Sequence, residues 1–208
     1  MTPEEAGRLL NVSRETLGRL QAYVDLLQKW QRRINLVSAT TLPLVWQRHI
    51  VDSAQLAHYL PADAAEIVDL GSGAGLPGLI LAIVAERPVH LIESDARKCA
   101  FLREAARITG ARVKVHRSRA EDLPPWPADV LTARALAPLP RLLELGEGFI
   151  DPNRTVCLFL KGREAEQELT DSAKHWNMRV ERFASLSDPS GSILRLSGVQ
   201  RLRDRNTA

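Results

Sequence analysis

Little in this chain marks it for an oxidising compartment or a membrane. Two cysteines occur in 208 residues; Cys99 falls in a stretch that reads as helix and Cys157 in a short apolar run, so both are expected as buried thiols, not a disulfide or a metal pair. No apolar run approaches the ~18 residues a membrane span requires, and the N-terminus lacks a basic segment leading into an apolar one. Neither a membrane helix nor a secretion signal is therefore expected, and the cytoplasm is the default compartment. No second histidine or cysteine stands at ligand spacing from His49, which leaves metal binding without support. Aromatic residues are only 5% of the chain, and Trp46, Trp126 and Trp176 are expected to pack in the interior.

What is present describes an ordinary globule: 45% hydrophobic, 25% charged, mean hydropathy −0.16. The length holds one substantial α/β core with a small addition. A formal charge of +3 hints weakly at an anionic partner, and its distribution says more. From Ala96 to Arg119 eight Lys or Arg stand against one acid, Glu104, and the tail carries Arg201, Arg203 and Arg205 against Asp204. Such runs are most often solvated faces, so they need other support.

Along the chain, Thr2-Pro3-Glu4-Glu5 predicts an immediate helix, and Ser13 can cap a second, longer one with an apolar stripe of Leu17, Leu20, Val24, Leu27 and Ile34, flanked by Tyr23 and Trp30. Pro43 should open a further helical segment running to Tyr59. On it, Arg48 can pair with Asp52, His49 can meet Asp52 or Ser53, and Asp52 or Ser53 can cap a helix, because residues three or four apart share a face. From about residue 61 the pattern alternates between apolar runs and helical stretches, predicting a parallel, doubly wound sheet. Strands are expected at Ile67 to Leu70, Val89 to Ile92, Val113 to His116, Val130 to Ala133 and Val156 to Leu160. Met178 to Phe183 and Ile193 to Ser197 read as a terminal antiparallel pair. Helices are expected near Gly78 to Ala85, Ala96 to Thr109, Leu139 to Glu147 and Arg163 to His175. The expected organisation is an N-terminal helical cap, 1–60, followed by a Rossmann-like sheet domain, 61–208.

The most informative stretch is Asp69-Leu70-Gly71-Ser72-Gly73-Ala74-Gly75-Leu76-Pro77-Gly78, a strand leading through alternating glycines into a helix. Such a turn brings backbone close to a ligand and offers the unpaired amides of a helix start. A dinucleotide fingerprint needs its third glycine at the sixth position, where Leu76 stands, so the pyrophosphate reading is weakened. The pattern, with Glu93 about 20 residues on as an acid for ribose hydroxyls, resembles the S-adenosylmethionine loop of Rossmann-like methyltransferases. Ligands of open α/β sheets collect beyond the carboxyl ends of strands. There the remaining strands deliver Arg117-Ser118-Arg119-Ala120-Glu121, Arg134-Ala135 and Lys161-Gly162-Arg163, whose acids suit a nucleoside and whose cations suit phosphates.

Taken in order, Ile34-Asn35-Leu36, Arg48-His49-x-x-Asp52-Ser53, the glycine stretch with its Leu-Pro-Gly ending, Leu91-Ile92-Glu93-Ser94, Phe101-Leu102, Arg119-Ala120-Glu121, Thr132-Ala133-Arg134-Ala135 and Leu160-Lys161-Gly162 resemble one family. It is that of the bacterial small-subunit rRNA guanine-N7 methyltransferases, also called glucose-inhibited division protein B. The resemblance implies methylation at N7 of guanine 527 in 16S rRNA, free or within the 30S subunit, from S-adenosyl-L-methionine, leaving S-adenosyl-L-homocysteine. It implies a seven-stranded, mostly parallel sheet of the S-adenosylmethionine-dependent methyltransferase type. Carried over residue by residue, the cofactor contacts are Gly71, Leu76, Ala120, Glu121 and Arg134; with the loop itself and the ribose acid this gives Asp69, Gly71, Gly73, Gly75, Leu76, Glu93, Ala120, Glu121 and Arg134. Candidates for the RNA side are Arg48, His49, Asp52, Arg117, Arg119, Lys161 and Arg163. No catalytic base is expected, since N7 carries a free lone pair at neutral pH. Two other readings stay open: a nicotinamide-dependent oxidoreductase, and a non-catalytic RNA-binding assembly protein.

Overall fold

Two capped helices open the chain, as expected from their first residues. Helix α1 (Pro3–Leu10) is closed by a reciprocal box in which Thr2 Oγ1 accepts from the Glu5 amide and the Glu5 carboxylate accepts from the Thr2 amide. Helix α2 (Arg14–Gln31) is capped by Ser13, and Leu20, Tyr23, Val24 and Leu27 are buried along it; Ile34, expected on the same stripe, lies past its end and packs against the core from the following turn. The following segment departs from the expected single helix. It forms a 3-10 turn (Leu42–Leu44), a π-helix (Trp46–Val51), one α-helical turn α3 (Asp52–Ala54) and a second 3-10 turn (Gln55–Tyr59). Neither Asp52 nor Ser53 caps it: their backbone is already helical and no side-chain cap forms. The wider i→i+5 winding also moves residues four apart off a shared face.

The remainder, in a computed structural model that describes residues 1–202, is a seven-stranded sheet of order β3-β2-β1-β4-β5-β7-β6. Strands β1 (Ile67–Leu70), β2 (Val89–Glu93), β3 (Val113–Arg117), β4 (Val130–Arg134) and β5 (Val156–Lys161) are parallel. Strand β7 (Ser192–Arg201) inserts antiparallel between β5 and β6 (Trp176–Ala184). The last two run longer than their apolar cores because backbone pairing continues from Val180↔Leu196 to Trp176↔Arg201, past a bulge near Asn177.

Side chains of a strand alternate between faces, and the sheet uses both. Ile67, Val89, Leu91 and Val130 face helices α4 (Gly78–Val84) and α5 (Ala96–Thr109) together with the N-terminal helices, in one continuous core. Val68, Leu70, Ile92, Leu131 and Phe159 face the other side, with helices α6 (Leu139–Gly146) and α7 (Ala165–Ser172). Asp95 caps α5, and Gly110 closes it at φ 64. Cys99 and Cys157 are buried and free. Arg203 and Arg205 lie outside the described residues. Arg201 does not belong to a free basic tail: it ends β7, donates to Glu147 at 3.0 Å and lies 5.6 Å from the Trp176 ring centre. No helix among the described residues is long and apolar enough to cross a membrane.

Candidate functional site

Strand β1 has β2 on one side and β4 on the other, so the chain leaves it in opposite directions and opens a crevice at the carboxyl ends. Two chambers occupy this crevice, of about 570 and 660 Å³, and they share a wall made by Leu36, Arg134, Ala135, Leu136 and Ala137.

The first chamber is built on the glycine loop. Gly71 takes φ 60, a turn that favours glycine, and a Cβ there would stand 2.5 Å from Leu136 Cδ1, so any side chain would have to displace Leu136 from the shared wall. The expectation of free amides is corrected by the hydrogen bonds. Ser72 donates to the Ile92 carbonyl at 2.9 Å, Gly73 to Glu93 Oε2 at 2.9 Å, and Gly75 and Leu76 to the Ser72 carbonyl at 2.6 and 3.2 Å. The early amides of α4 are engaged too, Leu79 and Ile80 with Gly75, Leu81 with Pro77. A pyrophosphate needs such donors free. A ligand without phosphate does not.

Glu93 is buried, and its two carboxylate oxygens accept one bond each, from Gly73 N and from Asp95 N at 2.8 Å. A carboxylate has about four acceptor sites, so two remain for hydroxyls of a ligand. Gly71, Gly73, Leu76, Glu93, Ala120, Glu121 and Arg134 all line this chamber. Asp69 and Gly75 are placed behind its wall instead. Asp69 is fully buried under α4, where a Cβ on Gly78 would come within 2.6 Å of it, and its Oδ1 accepts from Thr132 at 2.8 Å while Oδ2 has no partner among the described residues. Burial pushes its carboxyl up to about 6, against the pull of its hydrogen bonds. Gly75 packs on Leu79 and Leu102. The loop is held from outside by α2: the buried Tyr23 hydroxyl donates to the Ala74 carbonyl at 2.7 Å.

The second chamber is organised by Arg134. Its Nη1 donates to the Arg48 carbonyl at 3.0 Å and to Asp52 Oδ2 at 3.1 Å, and its Nη2 lies 3.1 Å from His49 Nδ1. A guanidinium only donates, so Nδ1 accepts and the imidazole proton sits on Nε2, directed at Thr41 Oγ1 2.9 Å away. Burial first, then Arg134 and Arg48, hold the His49 pKa down to about 4, keeping the ring neutral. Three of the five guanidinium donors are engaged, leaving two at the junction of the chambers. Asp52 in turn accepts from Ser185 and Ser187, and Gln55 accepts from the Leu186 amide at 2.8 Å. The expected Arg48–Asp52 pair does not form; Arg48 instead meets Asp188 at 2.7 Å, which holds that carboxyl down to about 2.

The RNA-side candidates divide. Arg48, His49, Asp52 and Lys161 line the second chamber and Arg119 the first, whereas Arg117 and Arg163 line neither and lie exposed. Lys161 is not a free cation: its side chain is 7% exposed and its Nζ lies 2.6 Å from Glu168. Glu121 meets Arg141 at 3.2 Å at the chamber rim. Sequence reasoning missed Leu136, the positive φ of Ala135 (51°), and the partners Ser185, Ser187 and Asp188. Nothing local in the sequence marks these; they matter only because distant segments meet.

The profile described as rRNA small subunit methyltransferase G matches residues 16–193. The chain is 54% identical over 201 residues to ribosomal RNA small subunit methyltransferase G of Rhodospirillum rubrum, covering 97% of this chain and 100% of the relative. It is 55% identical over 206 residues to the protein of that name in Paramagnetospirillum magneticum, covering 98% of each. Among solved structures, it is similar to a ribosomal protein L11 methylase from Lactobacillus delbrueckii subsp. bulgaricus (TM-score 0.54, 14% identity, 70% of this chain and 77% of the other). It is similar also to M. jannaschii TYW2 in complex with AdoMet (TM-score 0.54, 14% identity, 73% and 77%). At these identities the structures speak for the fold alone.

Proposed function

The chain belongs to the rRNA small subunit methyltransferase G family, and from that premise we propose that it transfers a methyl group from S-adenosyl-L-methionine to N7 of guanine 527 in 16S rRNA. The observation that carries the cofactor half is the glycine loop whose Ser72, Gly73, Gly75 and Leu76 amides are already engaged, beside a buried acid with acceptor sites to spare. That combination suits a nucleoside without phosphate and disfavours a nicotinamide dinucleotide, whose pyrophosphate would find those four donors already taken.

In this reading Glu93 accepts from the ribose hydroxyls, and Leu76, Ala120 and Glu121 border the adenine. The two remaining donors of Arg134 meet the methionine carboxylate, a pairing that the guanidinium fork favours. When bound, the cofactor supplies an electrophilic methyl carbon. The second chamber receives the guanine, and Leu36 and Leu136 in the shared wall keep water from the junction. Because the N7 lone pair needs no deprotonation, the contribution of the protein is alignment and exclusion of solvent, not acid–base chemistry. Arg117, Arg119 and Arg163 contribute phosphate contacts, a sequence-independent attraction that weakens as salt is added.

The test is to map N7-methylguanine in 16S rRNA from cells with and without this gene. Loss of the modification at guanine 527 alone is expected. An unchanged signal there overturns the substrate assignment, and calorimetric binding of NAD with no binding of S-adenosyl-L-homocysteine overturns the cofactor.

A further inference from the structure

Lys161 ends β5, next to the second chamber, yet its side chain is turned inward. Its Nζ donates to the Ala137 carbonyl at 2.9 Å and lies 2.6 Å from Glu168 Oε2, and the two side chains are 7% and 18% exposed. The same Glu168 oxygen accepts from the Leu139 amide at 2.7 Å. Leu139 is the first residue of α6, whose amide has no acceptor within its own helix. One ion pair therefore holds both the residue that precedes the helix by two places and the residue that starts it.

The segment so held, Ala135 to Pro138, is the wall between the chambers. Ala135 takes φ 51, a left-handed backbone that costs a non-glycine residue about 1 kcal/mol or more and persists only where its surroundings impose it. Upstream, Arg134 is fixed by Asp52, His49 and the Arg48 carbonyl. Downstream, the Lys161–Glu168 pair is the corresponding restraint. Between them Leu136 is pressed over Gly71. Reaching out to a phosphate would require Lys161 to abandon the Ala137 carbonyl and leave the largely buried Glu168 without its counter-charge.

We propose that Lys161 and Glu168 are positioning residues that brace the wall between cofactor and substrate chambers, and that Lys161 is not a contact to RNA. This inference rests on the methyl transfer proposed above. The variants K161M, E168Q and the double K161M/E168L test it through kcat, the salt dependence of RNA affinity, melting temperature and hydrogen exchange across 135–139. Each single variant is expected to lower kcat by about tenfold or more, with the double no worse than the worse single, because the two act as one unit. The slope of log affinity against log salt should match that of the unaltered protein, and amides across 135–139 should exchange faster. The double variant, having no buried charge left alone, should melt no lower than K161M, so loss of its kcat cannot be ascribed to unfolding. A K161M protein that keeps kcat within about twofold and loses roughly one counterion from the salt slope overturns the proposal in favour of a phosphate contact. A double variant with full kcat and unchanged exchange overturns it in favour of stability alone. If the unaltered protein methylates no RNA, the reaction assigned above fails, and the exchange data still decide whether the pair braces the wall.

Discussion

The two chambers of the crevice are built on opposite plans. The first has a kernel of near neighbours in sequence, around which Ala120, Glu121 and Arg134 are added: residues 71 to 76 supply the loop, and Glu93, at the end of the next strand, ties it down through the Gly73 amide. The second is assembled from segments separated by more than 80 residues: Arg134 meets His49 and Asp52, and Asp52 meets Ser185 and Ser187. A local kernel comes with its parts ready spaced, even where it leans on distant support such as the Tyr23 hydroxyl. A non-local plan ties the site to the folding of the whole chain.

That contrast is most severely tested at Arg134, which belongs to both chambers. Replacing it with methionine should lower methyl transfer by at least about a hundredfold, since it removes a cofactor donor and leaves Asp52 in a half-buried site without its counter-charge. S-adenosyl-L-homocysteine titration should register the loss as well. Activity within tenfold of the unaltered protein would show that the chambers do not depend on a common residue.

Within the first chamber, Gly71→Ala and Gly73→Ala separate contact from conformation. Both positions have positive φ, 60 and 54, but only a Cβ at Gly71 meets the shared wall, at 2.5 Å; at Gly73 the nearest atom is 3.8 Å away. Gly73→Ala should weaken cofactor binding by about tenfold at most through backbone strain, and Gly71→Ala by several times more through added overpacking. Equal effects in calorimetry would mean that the wall yields.

The smallest effect concerns pH, where the two chambers pull in opposite directions. His49, with a folded value of about 4 against an ordinary 6.5, contributes stability that is full above 6.5 and is lost as pH falls towards 4. Asp69, raised to about 6 from 3.8, contributes stability that is full below 3.8 and is lost as pH rises through 6. Between pH 6.5 and 5 these partly cancel. Denaturant melts should show His49→Asn losing less stability on acidification than the unaltered protein, and Asp69→Asn losing more, by about 1 to 2 kcal/mol each. Parallel pH profiles for all three proteins would refute the opposition.

The same division explains what could be read in the sequence. The central parallel strands β1, β4 and β5 start where their apolar runs start, because two-sided burial writes a continuous signal, while β3 at the sheet edge was legible only as alternating Val113 and Val115. The glycine loop and Glu93 were legible because turn geometry and strand-end placement are short-range. The segment from Leu42 to Tyr59 was not, since helical periodicity does not distinguish α from π winding, and its winding coincides with partners on β4 and on the loop after β6. Lys161 shows the limit most clearly. At a strand end beside Gly162 it has every mark of a phosphate ligand, and only the folded positions of Glu168 on α7 and of the Ala137 carbonyl show that its Nζ is already engaged.

The hydroxyl of Tyr23 under Ala74 extends this to the molecule as a unit of exchange. A chimera joining residues 61–202 to the leading helices of an unrelated fold would keep every strand and every glycine of the loop, yet would lose the hydroxyl that bonds the loop from below. The opening helices are thus no detachable lid; they belong to the floor on which the nucleoside would rest.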